Sequence, residues 1–289
     1  MIMAKQDPMI NKFEEHNQKI TISSDLRQRK LFNWRELWRY RDLVWFLVLR
    51  DIKSRYAQSI LGVGWAVIQP VFSMIIFTIV FGNLAKVDSE GVPYAIFSFA
   101  ALVPWTYFSN SLTSSGSSLV VSKNLITKVY FPRLVIPVVP VLATLVDFLI
   151  ALLILFGMTL YFGIHPTTKV LLIPLFTLIM MLSASGLGMW LTALAIQYRD
   201  VRYGLNFFVR LLMYVSPVIY SANTVPARFR YLYALNPMVG VIEGFRAAVL
   251  NNRSVPWDFL GIGMVVALLF FITGAIYFRR MENNFADVA

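Results

Sequence analysis

The sequence predicts an all-α polytopic membrane protein. It has six transmembrane helices, an amphipathic interface helix before them and short re-entrant helices before the last span. Three observations predict this. First, 58% of the 289 residues are hydrophobic and only 14% are charged, against about 25% charged in a soluble domain. Second, apolar runs recur at close to the roughly 20 residues that a helix needs to cross a bilayer. Third, lysine and arginine gather on alternate connections between those runs.

Residues 1–32 are polar and lack helical periodicity, which reads as a cytoplasmic tail with no packed core of its own. The chain starts without the short apolar run of a signal peptide, so insertion is expected to rest on the internal helices. Residues 33–57 differ. Trp34, Trp38, Trp45, Leu49 and Ile52 recur at helical spacing, with Arg35, Arg39, Arg41, Arg50 and Lys53 between them. Such a pattern suits a basic helix lying at the inner membrane surface. Asp51 and Arg55 stand four residues apart and are expected to pair.

The transmembrane domain occupies 58–289. The first apolar run is 62–84. The second is 94–121, whose second half is rich in serine. The third is 132–162, the fourth 170–196, and the fifth starts near 205 and fades near 220. The sixth is 257–278. Between the fifth and sixth, 238–250 is too short to span and carries Glu243 and Arg246. The stretch 225–250 therefore reads as two short helices that dip into the membrane or lie on it, around an Asn236-Pro237 break. Pro70, Pro104 and Pro217 mark kinks within or near spans, whereas Pro132 and Pro137 suit a helix start.

Orientation follows from the basic residues. With the N-terminus inside, twelve of them lie between Lys5 and Arg55 on that side. Lys123, Lys128, Arg133, Arg199, Arg202, Arg279 and Arg280 fall there too. Both termini are then cytoplasmic, as an even number of spans requires. The net charge of +11 faces an anionic membrane surface in this reading, so nucleic acid is not needed to explain it.

Several chemistries are excluded. There is no cysteine, which removes disulfides, thiolate catalysis and cysteine metal sites. His16 and His165 lie far apart. The sequence contains no phosphate-binding G-x-x-x-x-G-K-[ST] loop, no H-E-x-x-H and no G-x-S-x-G. Asp147 is the clearest intramembrane carboxylate and a functional candidate on that ground. A buried polar partner or a neighbouring subunit is its simpler explanation.

Ordered local motifs then become specific. They are Leu61-Gly62-x-x-Trp65 with Gln69-Pro70, Asn124-Leu125-Ile126-Thr127-Lys128-Val129-Tyr130-Phe131-Pro132-Arg133 and Tyr198-Arg199-Asp200-Val201. Further along come Ser216-Pro217-Val218-Ile219-Tyr220, Leu235-Asn236-Pro237, Ile242-Glu243-Gly244-Phe245-Arg246 and Phe285-Ala286-Asp287-Val288. In this order they resemble the polysaccharide-exporting permeases of ATP-binding-cassette transporters, over about residues 33–289.

The resemblance implies a non-enzymatic transport subunit in the bacterial inner membrane. It implies a homodimer joined by two separate ATPase subunits, with ATP and magnesium bound there and no cofactor on this chain. The implied cargo is an O-antigen-like polymer on a polyprenyl diphosphate. It also implies an interface helix at Trp34, Trp38, Arg41 and Trp45, and a coupling helix at Lys123, Asn124, Leu125, Ile126, Thr127 and Lys128. Gate helices are implied around Asn236, Pro237, Glu243 and Arg246.

A sugar chain offers hydroxyls and apolar C–H faces, so a conduit suits aromatic rings and small hydroxyl side chains. Phe72, Tyr107, Phe108, Phe207, Tyr214 and Tyr220, with Ser111 and Ser114, are the candidates for its lining. Lipid-facing belts and helix contacts use the same residue types. Three other functions compete with this one. A membrane glycosyltransferase would want a carboxylate or metal site, but Asp200 and Glu243 fall on opposite sides of the expected topology. An ion-coupled transporter would want internal repeats or paired intramembrane charges. A drug or lipid exporter of the same class is the alternative, which the order of the motifs disfavours.

Overall fold

The computed structural model describes residues 38, 40–57, 62–122, 131–165, 167–198 and 200–282, with only the backbone described at Val63. Among these residues there is no strand. Helix α1 is Arg41–Tyr56, and a short 3-10 turn then leads into α2, Trp65–Phe77, which continues as a π-helical turn, Thr78–Leu84. Next come α3, Tyr94–Val121, α4, Val135–Ala143, α5, Leu145–Tyr161, and α6, Ile173–Gln197. The chain ends in α7, Asp200–Val215, α8, Arg230–Ala234, α9, Pro237–Val249, and α10, Trp257–Met281.

Among the described residues, four helical segments are long and apolar enough to cross a membrane: Trp65–Leu84, Val135–Tyr161, Thr168–Gln197 and Trp257–Met281. These correspond to the first, third, fourth and sixth expected runs. The second, α3, is long enough at 28 residues, but its serines and Asn110 dilute its hydropathy. The fifth, α7, has only 16 residues. Pro70 and Pro104 lie inside helices, whereas Pro217 follows the end of α7. The third run divides at Thr144, whose hydroxyl donates to the Pro140 carbonyl at 2.7 Å. A proline-rich first half (Pro137, Pro140) is the physical reason for that break.

Helices α3, α6 and α10 pack most extensively. Glycine makes the closest approach possible: a Cβ on Gly186 would meet the Phe270 backbone at 2.4 Å, and one on Gly274 the Gly186 carbonyl at 2.3 Å. Small residues that let backbones touch are the usual means of packing helices in lipid, where apolar burial gives little drive.

The fold adds detail to two elements. Every residue of α9 is buried. Helix α9 is thus enclosed by protein, against α10, α3 and α6, instead of lying on a surface. Gly240 allows this, because a Cβ there would sit 2.7 Å from the Phe259 carbonyl oxygen on α10. In α1 the buried residues are Leu47 and Val48, and the helix packs on α4. Trp38 and Trp45 are left 71% and 64% exposed, so the tryptophan face points away from the protein.

Candidate functional site

Two polar clusters stand out among the described residues, and the rings of Phe148 and Phe245 lie between them, 6.0 Å apart. The first grows from the Asn236-Pro237 break. The Asn236 side chain accepts from the Met238 N–H at 3.1 Å and so caps α9, with proline in the first turn where it is harmless. Asn236 also donates to the Ser216 hydroxyl at 2.9 Å, which ties α9 to the end of α7. Two turns further, Glu243 and Arg246 pair at 3.1 Å, with side chains 1% and 0% exposed.

Burying two ions is costly unless their remaining donors and acceptors are satisfied, and here they are. The Arg246 guanidinium donates to the Tyr220 carbonyl at 3.0 Å, the Val218 carbonyl at 2.9 Å and the Phe97 carbonyl at 3.4 Å. It also lies 3.7 Å from the centre of the Phe97 ring, a cation–π contact. Glu243 accepts from the Ala222 N–H at 3.0 Å and from Arg253. Arg253 meets Glu90 at 3.0 Å, and Glu90 accepts in turn from Ser221 and Asn223. A single guanidinium–carboxylate chain thereby binds α9 to the loops 85–93, 216–224 and 250–256. Lys169 joins it from the loop before α6, donating to Asn251 at 3.0 Å and to the Arg253 carbonyl at 2.8 Å.

The second cluster lies where α1 meets α4 and α5. Arg55 pairs with Asp51 at 2.9 Å and with Asp147 at 3.4 Å. The Tyr56 hydroxyl also donates to Asp147. The i,i+4 pair expected within α1 is therefore present, and Asp147 has its polar partners inside this chain. Arg133 donates to the Glu282 carbonyl at 2.9 Å, tying the approach to α4 to the end of α10.

The remaining sequence candidates separate by exposure. Phe72, Phe207 and Tyr214 are 61%, 66% and 57% exposed, on α2 and α7. Tyr220 is half-buried, donates to the Tyr214 carbonyl at 3.1 Å and accepts from Tyr233 at 3.2 Å. Tyr107, Phe108 and Ser111 are buried in the core of the chain. The Tyr107 hydroxyl donates to the Val141 carbonyl at 3.1 Å and its ring packs on Phe148. Ser114 is half-buried near the end of α3. The candidate rings thus form two sets: core rings on α3 and outward rings on α2 and α7. Arg41 is exposed beside the Trp38 ring at 5.1 Å. Trp34 and the coupling residues Lys123, Asn124, Leu125, Ile126, Thr127 and Lys128 lie outside the described residues.

Glu90, Ser221, Arg253 and Tyr56 were missed as site residues. Their types carried a signal, since charges at the membrane boundary need partners. Only the fold says which loops meet. Among the described residues no group of three His, Asp or Glu gathers as a metal site.

Comparison with known proteins extends along the chain. The family model described as ABC-2 type transporter matches residues 42–250. An O-antigen export system permease protein, RfbA, of Myxococcus xanthus is 29% identical over 252 residues, 86% of this chain and 96% of the relative. A protein of the same name from Klebsiella pneumoniae is 24% identical over 248 residues, 86% of this chain and 95% of that protein. The polysialic acid transport protein KpsM of Escherichia coli is 24% identical over 245 residues, 82% of this chain and 92% of that protein.

Proposed function

Because this chain belongs to the ABC-2 type transporter family, we propose that it is the membrane subunit of an ATP-driven exporter of a polyprenyl-diphosphate-linked, O-antigen-like polysaccharide across the bacterial inner membrane. The observation that carries this reading is kinship along nearly the whole length of permeases named for O-antigen export. The chain is a transport component and not an enzyme, and permeases of this family work with ATP-binding-cassette ATPases.

Two copies of the chain, with two ATPase subunits, make the exporter in this reading. Six crossings place both termini in the cytoplasm. The charge network of Glu90, Glu243 and Arg253 then lies at the outer end, and the Arg55–Asp147 cluster faces inward. The span count is supported by Arg133 meeting Glu282 at one end while Glu90 meets Arg253 at the other. Lys123 to Lys128 form the contact for the ATPase. Trp38, Arg41 and Trp45 lie in the headgroup region, where an exposed tryptophan face and basic side chains are both accommodated.

A polar chain crossing about 30 Å of hydrocarbon needs a path with exchangeable contacts. The outward rings Phe72, Phe207 and Tyr214 give α2 and α7 an aromatic face that a second copy can complete. The buried Tyr107, Phe108 and Ser111 shape the scaffold behind it. The gate segments α8 and α9 close the outer end through the Glu243–Arg246 pair.

Deletion of the gene in its host tests the reading. Surface polysaccharide should fall to background, lipid-linked polymer should accumulate inside, and a plasmid copy should restore export. Unchanged surface polymer with altered drug or lipid efflux would replace this cargo with another.

A further inference from the structure

A cavity of about 170 Å³ opens between the end of α1 and helices α2, α3 and α5. Its wall carries Trp65, Gln69, Thr106, Asn110, Asp147 and Tyr56. The side chains of Gln69, Thr106 and Asn110 make no hydrogen bond to any described residue; Gln69 is exposed on α2, and Thr106 and Asn110 are half-buried on α3. On helices that cross a bilayer, amide and hydroxyl groups need partners that hydrocarbon does not supply. Three of them facing one cavity call for a ligand with several exchangeable donors and acceptors. Trp65 stands at the wall with its side chain 48% exposed, a flat apolar face beside the amides.

Charge narrows the ligand. Arg55, the cation of the cavity wall, is already met by Asp51 and by Asp147. A phosphate or a carboxylated sugar therefore finds no uncommitted positive charge here, and it would face two carboxylates. A neutral sugar fits every feature: its C–H face stacks on the indole, and its hydroxyls pair with the amides, Thr106 and the Asp147 region.

We propose that this cavity holds one neutral sugar residue of the exported chain, beside the Arg55–Asp147 pair, and that it sets a preference for uncharged polymer. The proposal rests on the polysaccharide reading above. It separates this chain from a relative named for polysialic acid, an acidic polymer.

The test uses the purified exporter complex and short oligosaccharides cut from the host's own surface polymer. Their charge is measured, and inorganic pyrophosphate serves as the anionic probe. The polymer should prove neutral. The oligosaccharide should give a saturable change in tryptophan fluorescence that Trp65→Phe abolishes. Gln69→Leu with Asn110→Leu should weaken binding about tenfold, the loss expected for two hydrogen bonds of about 0.7 kcal/mol each. Thr106→Val, nearly the same shape without the hydroxyl, should weaken it a few-fold and keeps the test valid if the double variant does not fold.

An acidic polymer, a signal indifferent to Trp65, or binding unchanged in Thr106→Val overturns the inference. So does a Trp65-dependent response to pyrophosphate alone, which would assign the cavity to the lipid carrier's head. The export reading stands in all these cases, because it falls only if gene deletion leaves surface polymer unchanged.

Discussion

The two polar clusters use the same chemistry to opposite ends. The Glu243 and Arg246 side chains are 1% and 0% exposed and each meets several partners, four chain segments converge on them, and among the described residues the unmatched donor beside them is Arg253 Nε. Around Arg55 and Asp147 the ion pair is about one-fifth exposed on each side, and uncommitted amides stand beside it. A densely bonded buried network fixes one packing and leaves little to offer a ligand. A partly satisfied one at a cavity wall keeps binding capacity at some cost in stability. The first is a clasp on α9, and the second is a place where something else can sit.

The clasp is the more fragile when broken. Removing one member of a buried pair leaves an uncompensated charge, typically a loss of about 3–5 kcal/mol. Arg246→Ala should therefore leave little folded chain in the membrane, as read by immunoblot of membrane fractions. Arg246→Lys should rescue poorly, because a lysine ammonium lacks the planar fork that reaches three carbonyls and a carboxylate at once. Normal abundance of Arg246→Ala would remove the distinction between the clusters.

Gly240→Val attacks the clasp from the other side. The added side chain meets the α10 backbone, so α9 must shift and Glu243 with it. The thermal midpoint of the purified complex should fall by several degrees. An unchanged midpoint would show that α9 does not need this close approach.

The Arg55–Asp147 cluster should tolerate change better. Tyr56→Phe removes the hydroxyl donated to Asp147 and should cost about 1 kcal/mol. Membrane abundance should stay near wild type and export should fall only modestly. A collapse as large as that of Arg246→Ala would make the two clusters equivalent.

How far the sequence reveals these regions differs in the same way. Hydropathy found the first, third, fourth and sixth runs because long apolar stretches carry their own signal. Spacing found the Asp51–Arg55 pair, since neighbours at i,i+4 on a helix are local. The Asn236-Pro237 break was also legible, because capping residues sit within a few positions of the helix they start. The partners of Arg246 were not legible: Phe97 is 149 residues away, and the carbonyls of Val218 and Tyr220 belong to an irregular loop. For the same reason Glu243 and Arg246 looked like interruptions in a short apolar run, when they are the reason the run can be buried. The conduit candidates show the limit of residue type as a signal. Tyr107 and Tyr214 look alike in sequence, yet one hydroxyl is bonded inside the core and the other ring faces outward.

Cysteine labelling compares the two regions directly, since the natural chain contains no cysteine. Asn110→Cys places a thiol at the cavity, and Ala247→Cys places one on α9, where the native side chain is fully buried. Both are exposed, in membranes holding the assembled exporter, to a small water-soluble maleimide. Cys at position 110 should label within minutes and Cys at position 247 should stay unlabelled until the protein is denatured. Rapid labelling at 247 with protection at 110 would contradict the account, because the clasp would then be the open region and the cavity the closed one.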